Sequence, residues 1–100
     1  MAIINQVSDN GKEVTISISG RFDFQLYDDF RNAYSSTAGE GVKYVVDMSG
    51  TEYLDSSALG MLLLLREHAG GNSANVSIEN TREEVKKILA VANFEKLFSL

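Results

Sequence analysis

The stretch Val45-Val46-Asp47-Met48-Ser49-Gly50-Thr51-Glu52-Tyr53-Leu54-Asp55-Ser56-Ser57-Ala58-Leu59-Gly60 decides how this chain folds. A short β-branched run ends in a polar segment. That segment delivers Asp-Ser-Ser to the start of a long apolar helix. The first turn of a helix carries unpaired backbone N–H groups and the positive end of the dipole. A serine held there serves as a cap, an anion seat or a phosphate acceptor, and residue types alone leave all three open.

Working outward from it, Ile3, Ile4 and Val7 open a β-like run, and Asn10-Gly11 predicts a tight hairpin turn. Val14, Ile16 and Ile18 then alternate with Thr15, Ser17 and Ser19, the pattern of a strand with one buried face. Residues 3–19 therefore read as a hairpin ended by Gly20. From Phe22 the period changes. Leu26, Tyr27, Phe30, Ala33 and Tyr34 recur at helical spacing, with Asp28, Asp29, Arg31 and Asn32 on the other side. Ser35–Gly41 is a loop. Tyr44–Val46 reads as a short strand buried on both faces, followed by a loop through Leu54. Ser57–Ala69 is the second helix, stopped by Gly70-Gly71. Val76 and Ile78 mark another strand. Thr81-Arg82-Glu83-Glu84 matches a capping box, with Thr81 as cap, ahead of a third helix built on Val85, Ile88, Leu89 and Ala92. Phe94, Leu97, Phe98 and Leu100 predict a short terminal helix. The order ββαβαβα plus a tail implies an α/β fold. Its small mixed sheet has an N-terminal hairpin and parallel crossover strands, packed with about four helices. Residues 1–100 are expected to form a single domain.

The 100 residues carry a net charge of −5 and no cluster of Lys or Arg. Neutralising phosphates needs a basic face, so nucleic acid and anionic membrane surfaces are not expected partners. No cysteine is present, which excludes disulfides and Cys-based metal sites. No N-terminal targeting pattern is apparent, and the longest apolar run, Met61–Leu65, is far short of the roughly 20 residues of a membrane span. A cytoplasmic location is the expectation.

The only histidine, His68, lies twelve residues along the same helix from Ser56. At 1.5 Å per residue the two are about 18 Å apart, too far for a base and its nucleophile. Asp23, Asp47 and Asp55 fall at or near predicted element ends, where they could hold Mg²⁺ or receive a phosphate. The simpler reading is that Asp23 caps the first helix and Asp47 closes a strand. No phosphate-cradling GxxxxGK[ST] motif occurs. No enzymatic activity, cofactor or metal is expected. Asp55 or Ser56 is the candidate cap of the second helix. A phosphate on Ser56 would sit among suitable donors and make an already acidic surface strongly anionic. Met61–Leu65 wraps most of the second helix, so part of that surface is left for neighbouring helices or a partner. Leu59, Met61 or Leu62 are candidates to border a binding face beside Ser56.

At these residues the sequence resembles a STAS domain, specifically the bacterial anti-sigma factor antagonists. That family has a strand ending in Asp-(Leu/Met)-Ser, a short loop, then Asp-Ser-(Ser/Thr)-(Gly/Ala)-Leu-Gly. This chain has Asp47-Met48-Ser49 and Asp55-Ser56-Ser57-Ala58-Leu59-Gly60. Gly20-Arg21-Phe22-Asp23 resembles the family's Gly-x-(Leu/Phe)-Asp, and Phe94-Glu95-Lys96-Leu97-Phe98 its closing segment. Ala58 stands where many relatives have Gly, and relatives often continue past the Leu-Phe segment. The resemblance implies that Ser56 is the phosphoacceptor of a partner-switching module. The unphosphorylated form would bind an anti-sigma factor or serine kinase of the histidine-kinase-like ATPase type. Phosphorylation would end that complex, and a PP2C-type phosphatase would restore it. By position, Asp23, Asp55, Ser57 and Gly60 would border the docking surface. The alternative is a STAS interaction or scaffold module of another regulatory or transport complex, in which Ser56 is only a cap.

Overall fold

Val14, Ile16 and Ile18 point one way out of their strand and are each no more than 1% exposed, so the alternation seen in the sequence is the buried face of a sheet. The computed structural model describes residues 2–100. Strand β1 (Ile3–Val7) pairs antiparallel with β2 (Glu13–Phe22). Strands β3 (Lys43–Leu54) and β4 (Asn75–Glu79) follow in parallel, giving the order β1-β2-β3-β4. The α-helices are α1 (Tyr27–Asn32), α2 (Ser56–His68) and α3 (Glu83–Val91). Tyr44, Val46 and Met48 of β3 and Val76 and Ile78 of β4 continue the apolar face of β2. Ala58, Met61, Leu62 and Leu65 of α2 and Val85 and Leu89 of α3 join the same core. The mixed α/β architecture is as expected.

The details differ in six places. Among the described residues the α-helices number three, not about four. The tail makes a single 3₁₀ turn, Phe94–Lys96, then runs extended so that Ser99 bridges to Ser77 at the edge of β4. Strand β3 has 12 residues and includes what the sequence suggests is a loop, Asp47–Leu54. Two register shifts against β2 absorb its polar residues. Thr51 there is fully buried, its hydroxyl donating to the Ile18 carbonyl at 2.9 Å. Gly20 does not end β2. It sits at φ +78° beside the second shift, and the strand continues to Phe22. The hairpin closes through a Ser8–Gly11 turn, with the Gly11 N–H donating to the Ser8 carbonyl at 2.9 Å, rather than through a two-residue Asn-Gly turn. The first helix is preceded by a 3₁₀ turn, Phe24–Leu26, because Phe22 belongs to the sheet. Lastly, the capping box is not formed. Arg82, not Thr81, is the N-cap of α3, and no side chain caps it. Asn80 takes a left-handed φ of 61° just before, which redirects the chain ahead of Thr81.

Candidate functional site

Strands β2 and β3 end side by side, Phe22 opposite Leu54, and the Asp55 N–H donates to the Phe22 carbonyl at 3.4 Å. This brings Asp23 and Asp55 to the same end of the sheet, where α2 begins. Asp23 caps its own turn, accepting the Gln25 N–H at 3.0 Å. Its other oxygen lies 3.6 Å from Arg21 Nε, and the Arg21 guanidinium stacks 4.4 Å over the Tyr53 ring. Asp47 does not join them. It pairs with Ser17 and Glu79 further up the sheet, and its Oδ1 accepts the Ser49 N–H at 3.0 Å and the Asn80 amide at 3.2 Å. The Ser49 bond, more than the Asn80 one, holds the Asp47 carboxyl below its ordinary pKa.

The two serines have different fates. Asp55 is the N-cap of α2, accepting the Ala58 N–H at 3.0 Å and the Ser57 hydroxyl at 2.6 Å on the same oxygen. The Ser57 hydroxyl, then the Ala58 N–H, hold the Asp55 carboxyl below its ordinary pKa. Ser57 is therefore half-buried and committed to the cap. Ser56 is the first helical residue, exposed, and its hydroxyl makes no hydrogen bond among the described residues. Asp55, not Ser56, does the capping that sequence reasoning divided between them.

At 100° per residue, Gly60, Leu63, Leu64 and Glu67 share the side of α2 that Ser56 occupies, and all are exposed. Leu63 is 39% and Leu64 48% exposed. Leu59 is half-buried and lines an open apolar groove with Ile88, Val91 and the stem of Lys87 from α3. Two of the candidate positions from the sequence fall elsewhere: Met61 is 3% exposed and Leu62 is fully buried, both packed in the core. Stepping by 100° from Ser56 puts Met61 at about 140° and Leu63 at about 340°, a distinction that the apolar run itself conceals.

Gly60 has no neighbour that requires a glycine. A Cβ built on it meets nothing within 4 Å. Glycine inside a helix costs about 1 kcal/mol relative to alanine. We expect Gly60→Ala to stabilise the isolated chain by about 0.5–1 kcal/mol in urea unfolding while weakening partner capture. A loss of stability would mean that Gly60 serves the fold rather than the surface.

His68 lies at the other end of α2, its Nε2 3.0 Å from the Thr37 carbonyl and its ring packed against Tyr34 and Tyr44. Its partners are structural. Among the described residues no group of three or more His, Cys, Asp or Glu side chains could hold a metal ion, and no helix is long and apolar enough to cross a membrane.

Residues 5–99 match a family model described as Mlab, STAS domain. A STAS-domain containing protein of Pseudomonas aeruginosa (strain UCBPP-PA14) is 56% identical over 100 residues, covering 100% of this chain and 99% of that protein. An anti-sigma factor antagonist from Mycobacterium paratuberculosis superposes with a TM-score of 0.72 at 20% identity, over 96% of this chain and 82% of that one. The Bacillus cell fate determinant SpoIIAA, in its phosphorylated form, gives a TM-score of 0.67 at 14% identity, over 97% of this chain and 88% of that one. At such identities the structural likeness speaks for the fold.

Proposed function

The chain belongs to the STAS domain family, and we propose that it is a protein-binding switch of the anti-sigma factor antagonist type, thrown by phosphorylation of Ser56. One observation supports this above the others: of the adjacent serines, Ser57 is tied to Asp55 while Ser56 is exposed and unengaged. Unphosphorylated, the chain docks an anti-sigma factor or serine kinase of the histidine-kinase-like ATPase type. Asp23, Asp55, Ser57, Leu59 and Gly60 border the contact, and the exposed Leu63 and Leu64 extend it. The chain itself is not an enzyme in this reading, and its partner brings ATP and Mg²⁺.

In the transfer, Ser56 Oγ attacks the γ-phosphorus. A new O–P bond forms as the bond to the ADP oxygen breaks, and the hydroxyl proton passes to a base on the kinase. The product carries about −1.5 to −2 charges. The first turn of α2 offers backbone donors to that phosphate, so the fold tolerates it. The docking face does not, because Asp55 adjoins Ser56 and Asp23 lies at the same end of the sheet, with Arg21 alone among the described residues to offset them. A PP2C-type phosphatase returns the hydroxyl by hydrolysis.

The test is incubation with the kinase of the same cell and ATP, read by mass spectrometry. One added phosphate on Ser56 is expected. Phosphate on Ser57 would displace the switch by one residue. No transfer at all would favour a STAS scaffold module in which Ser56 is never modified.

A further inference from the structure

β1 is the last strand on its side of the sheet. The Ser19 N–H donates to the Ala2 carbonyl at 2.8 Å, and the Ser8 N–H to the Glu13 carbonyl at 2.8 Å. Hydrogen-bonded pairs alternate along an antiparallel ladder. With the register Ile4↔Ser17 and Gln6↔Thr15, residues 2, 4, 6 and 8 therefore face β2 with their backbone groups. Ile3, Asn5 and Val7 aim their N–H and C=O groups outward from the sheet. The strand, Ile3-Ile4-Asn5-Gln6-Val7, carries no charge and no proline, the usual protections of an exposed edge. Ile4 is 55% and Val7 49% exposed. The opposite edge is different. The tail lies along β4, with the Ile78 N–H donating to the Ser99 carbonyl at 2.7 Å and the Ser99 N–H to Val76 at 3.2 Å.

We infer that the free edge of β1 binds β1 of a second copy of this chain, antiparallel, about a two-fold axis at Asn5. The outward groups select that centre. It sets Asn5 opposite Asn5 and Ile3 opposite Val7, so each outward N–H and C=O of the three residues finds a partner. Six backbone hydrogen bonds form, from three residue pairs exchanging two each. Side chains agree with the register. Ile3 and Val7 lie on the helix side of the sheet with Val14 and Ile18, so the exposed Val7 of one copy covers the partly buried Ile3 of the other. On the opposite face Ile4 lies beside Gln6. The strand itself carries no charge, and on the helix side the acidic side chain of Asp29 from α1 flanks it, beside Ile3 and Asn5. An extended peptide of another protein would satisfy the backbone too, but only a second copy reproduces this apolar pairing twice. Each copy has one free edge, so pairing closes at a dimer with a continuous eight-stranded sheet and does not propagate. Two five-residue strands make a contact below that of stable complexes, so the dissociation constant is expected on the order of 100 μM.

Analytical ultracentrifugation of the full chain over roughly 10 μM to 1 mM measures the equilibrium. Hydrogen exchange across that range locates it. The proposal expects the amides of Ile3, Asn5 and Val7 to gain protection with concentration, while those of Ile4 and Gln6 are protected throughout. Val7→Lys places a charge on the edge, and Val7→Pro removes an outward N–H without touching the ladder to β2 or the bond from the Asn5 side-chain amide to the Ala33 carbonyl (3.1 Å). Each is expected to raise the dissociation constant at least about tenfold with an unchanged circular dichroism spectrum. An 11.0 kDa monomer at every concentration would overturn the proposal. So would a dimer whose Ile3, Asn5 and Val7 amides gain no protection, or one that Val7→Lys leaves intact. Protection of these amides only when a different protein is added would assign the edge to that protein instead.

Discussion

Ser56→Asp is expected to weaken capture of the partner by about 100-fold, while Ser56→Ala stays within about threefold of the wild type. The reason is where the charge lands. Ser56 opens the exposed side of α2, in line with Gly60, Leu63 and Leu64, an apolar surface that a partner would desolvate. A carboxylate buried at such a contact without a counter-charge costs several kcal/mol, and each 1.4 kcal/mol is tenfold in affinity. Asp55, next to Ser56, adds repulsion to any acidic group on the partner, while Asp23 is offset by Arg21 at 3.6 Å. The alanine variant removes a hydroxyl that makes no hydrogen bond among the described residues, so it leaves no orphaned group behind. Neither change touches the cap, since Asp55 holds Ser57 and Ala58 without Ser56. Both variants should therefore stay within about 1 kcal/mol of the wild type in urea unfolding, far short of a roughly 100-fold loss of affinity, which separates a docking effect from a folding one. Titration of a partner recovered with wild-type bait against the three proteins reads the difference. Equal affinities for Ser56→Asp and Ser56→Ala would remove the charge switch.

The same surface shows what the amino-acid order reveals and what it hides. Alternation in β2 and three-and-four spacing in α1 are one-dimensional signals of a buried face, and they read correctly. Asp-Ser-Ser ahead of an apolar run announced a capped helix. The division of labour between its serines was not legible, because it depends on which hydroxyl the Asp55 carboxylate reaches. Strand β3 failed for a related reason. Ser49, Gly50 and Glu52 interrupt its apolar period, and only the bulges against β2 restore it. Thr51 looks like a loop residue until its hydroxyl meets the Ile18 carbonyl 33 positions away. The Thr81 box satisfied a local rule, but the turn at Asn80 aims the chain differently, and Arg82 donates to the Ser49 carbonyl at 3.4 Å instead. Leu63 and Leu64 were hidden in plain composition. Five apolar residues in a row, Met61–Leu65, cover more of a helix than one core can bury.

The other large effect is at the far end of α2. Gly39→Ala is expected to destabilise the chain by about 3–5 kcal/mol, against about 1–2 kcal/mol for Gly41→Ala. Both glycines lie in the left-handed region, Gly39 at φ +87° and Gly41 at φ +80°, so both substitutions incur backbone strain. Only Gly39 adds a collision. A Cβ there would press into the carbonyl oxygen of His68, a backbone group that cannot swing aside, whereas one on Gly41 meets nothing within 4 Å. The surroundings offer no slack. The Gly39 N–H donates to the Tyr44 hydroxyl at 3.1 Å, Thr37 Oγ1 lies 2.6 Å from the same hydroxyl, and His68 Nε2 is 3.0 Å from the Thr37 carbonyl. Relieving the clash means breaking bonds around Tyr44, which is fully buried. At about 4–8 °C per kcal/mol for a domain this size, Gly39→Ala should lower the melting temperature by at least about 12 °C. The difference between the two alanine variants isolates the contact from the strain. Equal losses would mean that the 35–41 loop does not clamp the last turn of α2. A larger loss at Gly39 would mean that it does, and that the helix presenting Ser56 at one end is anchored to the core at the other.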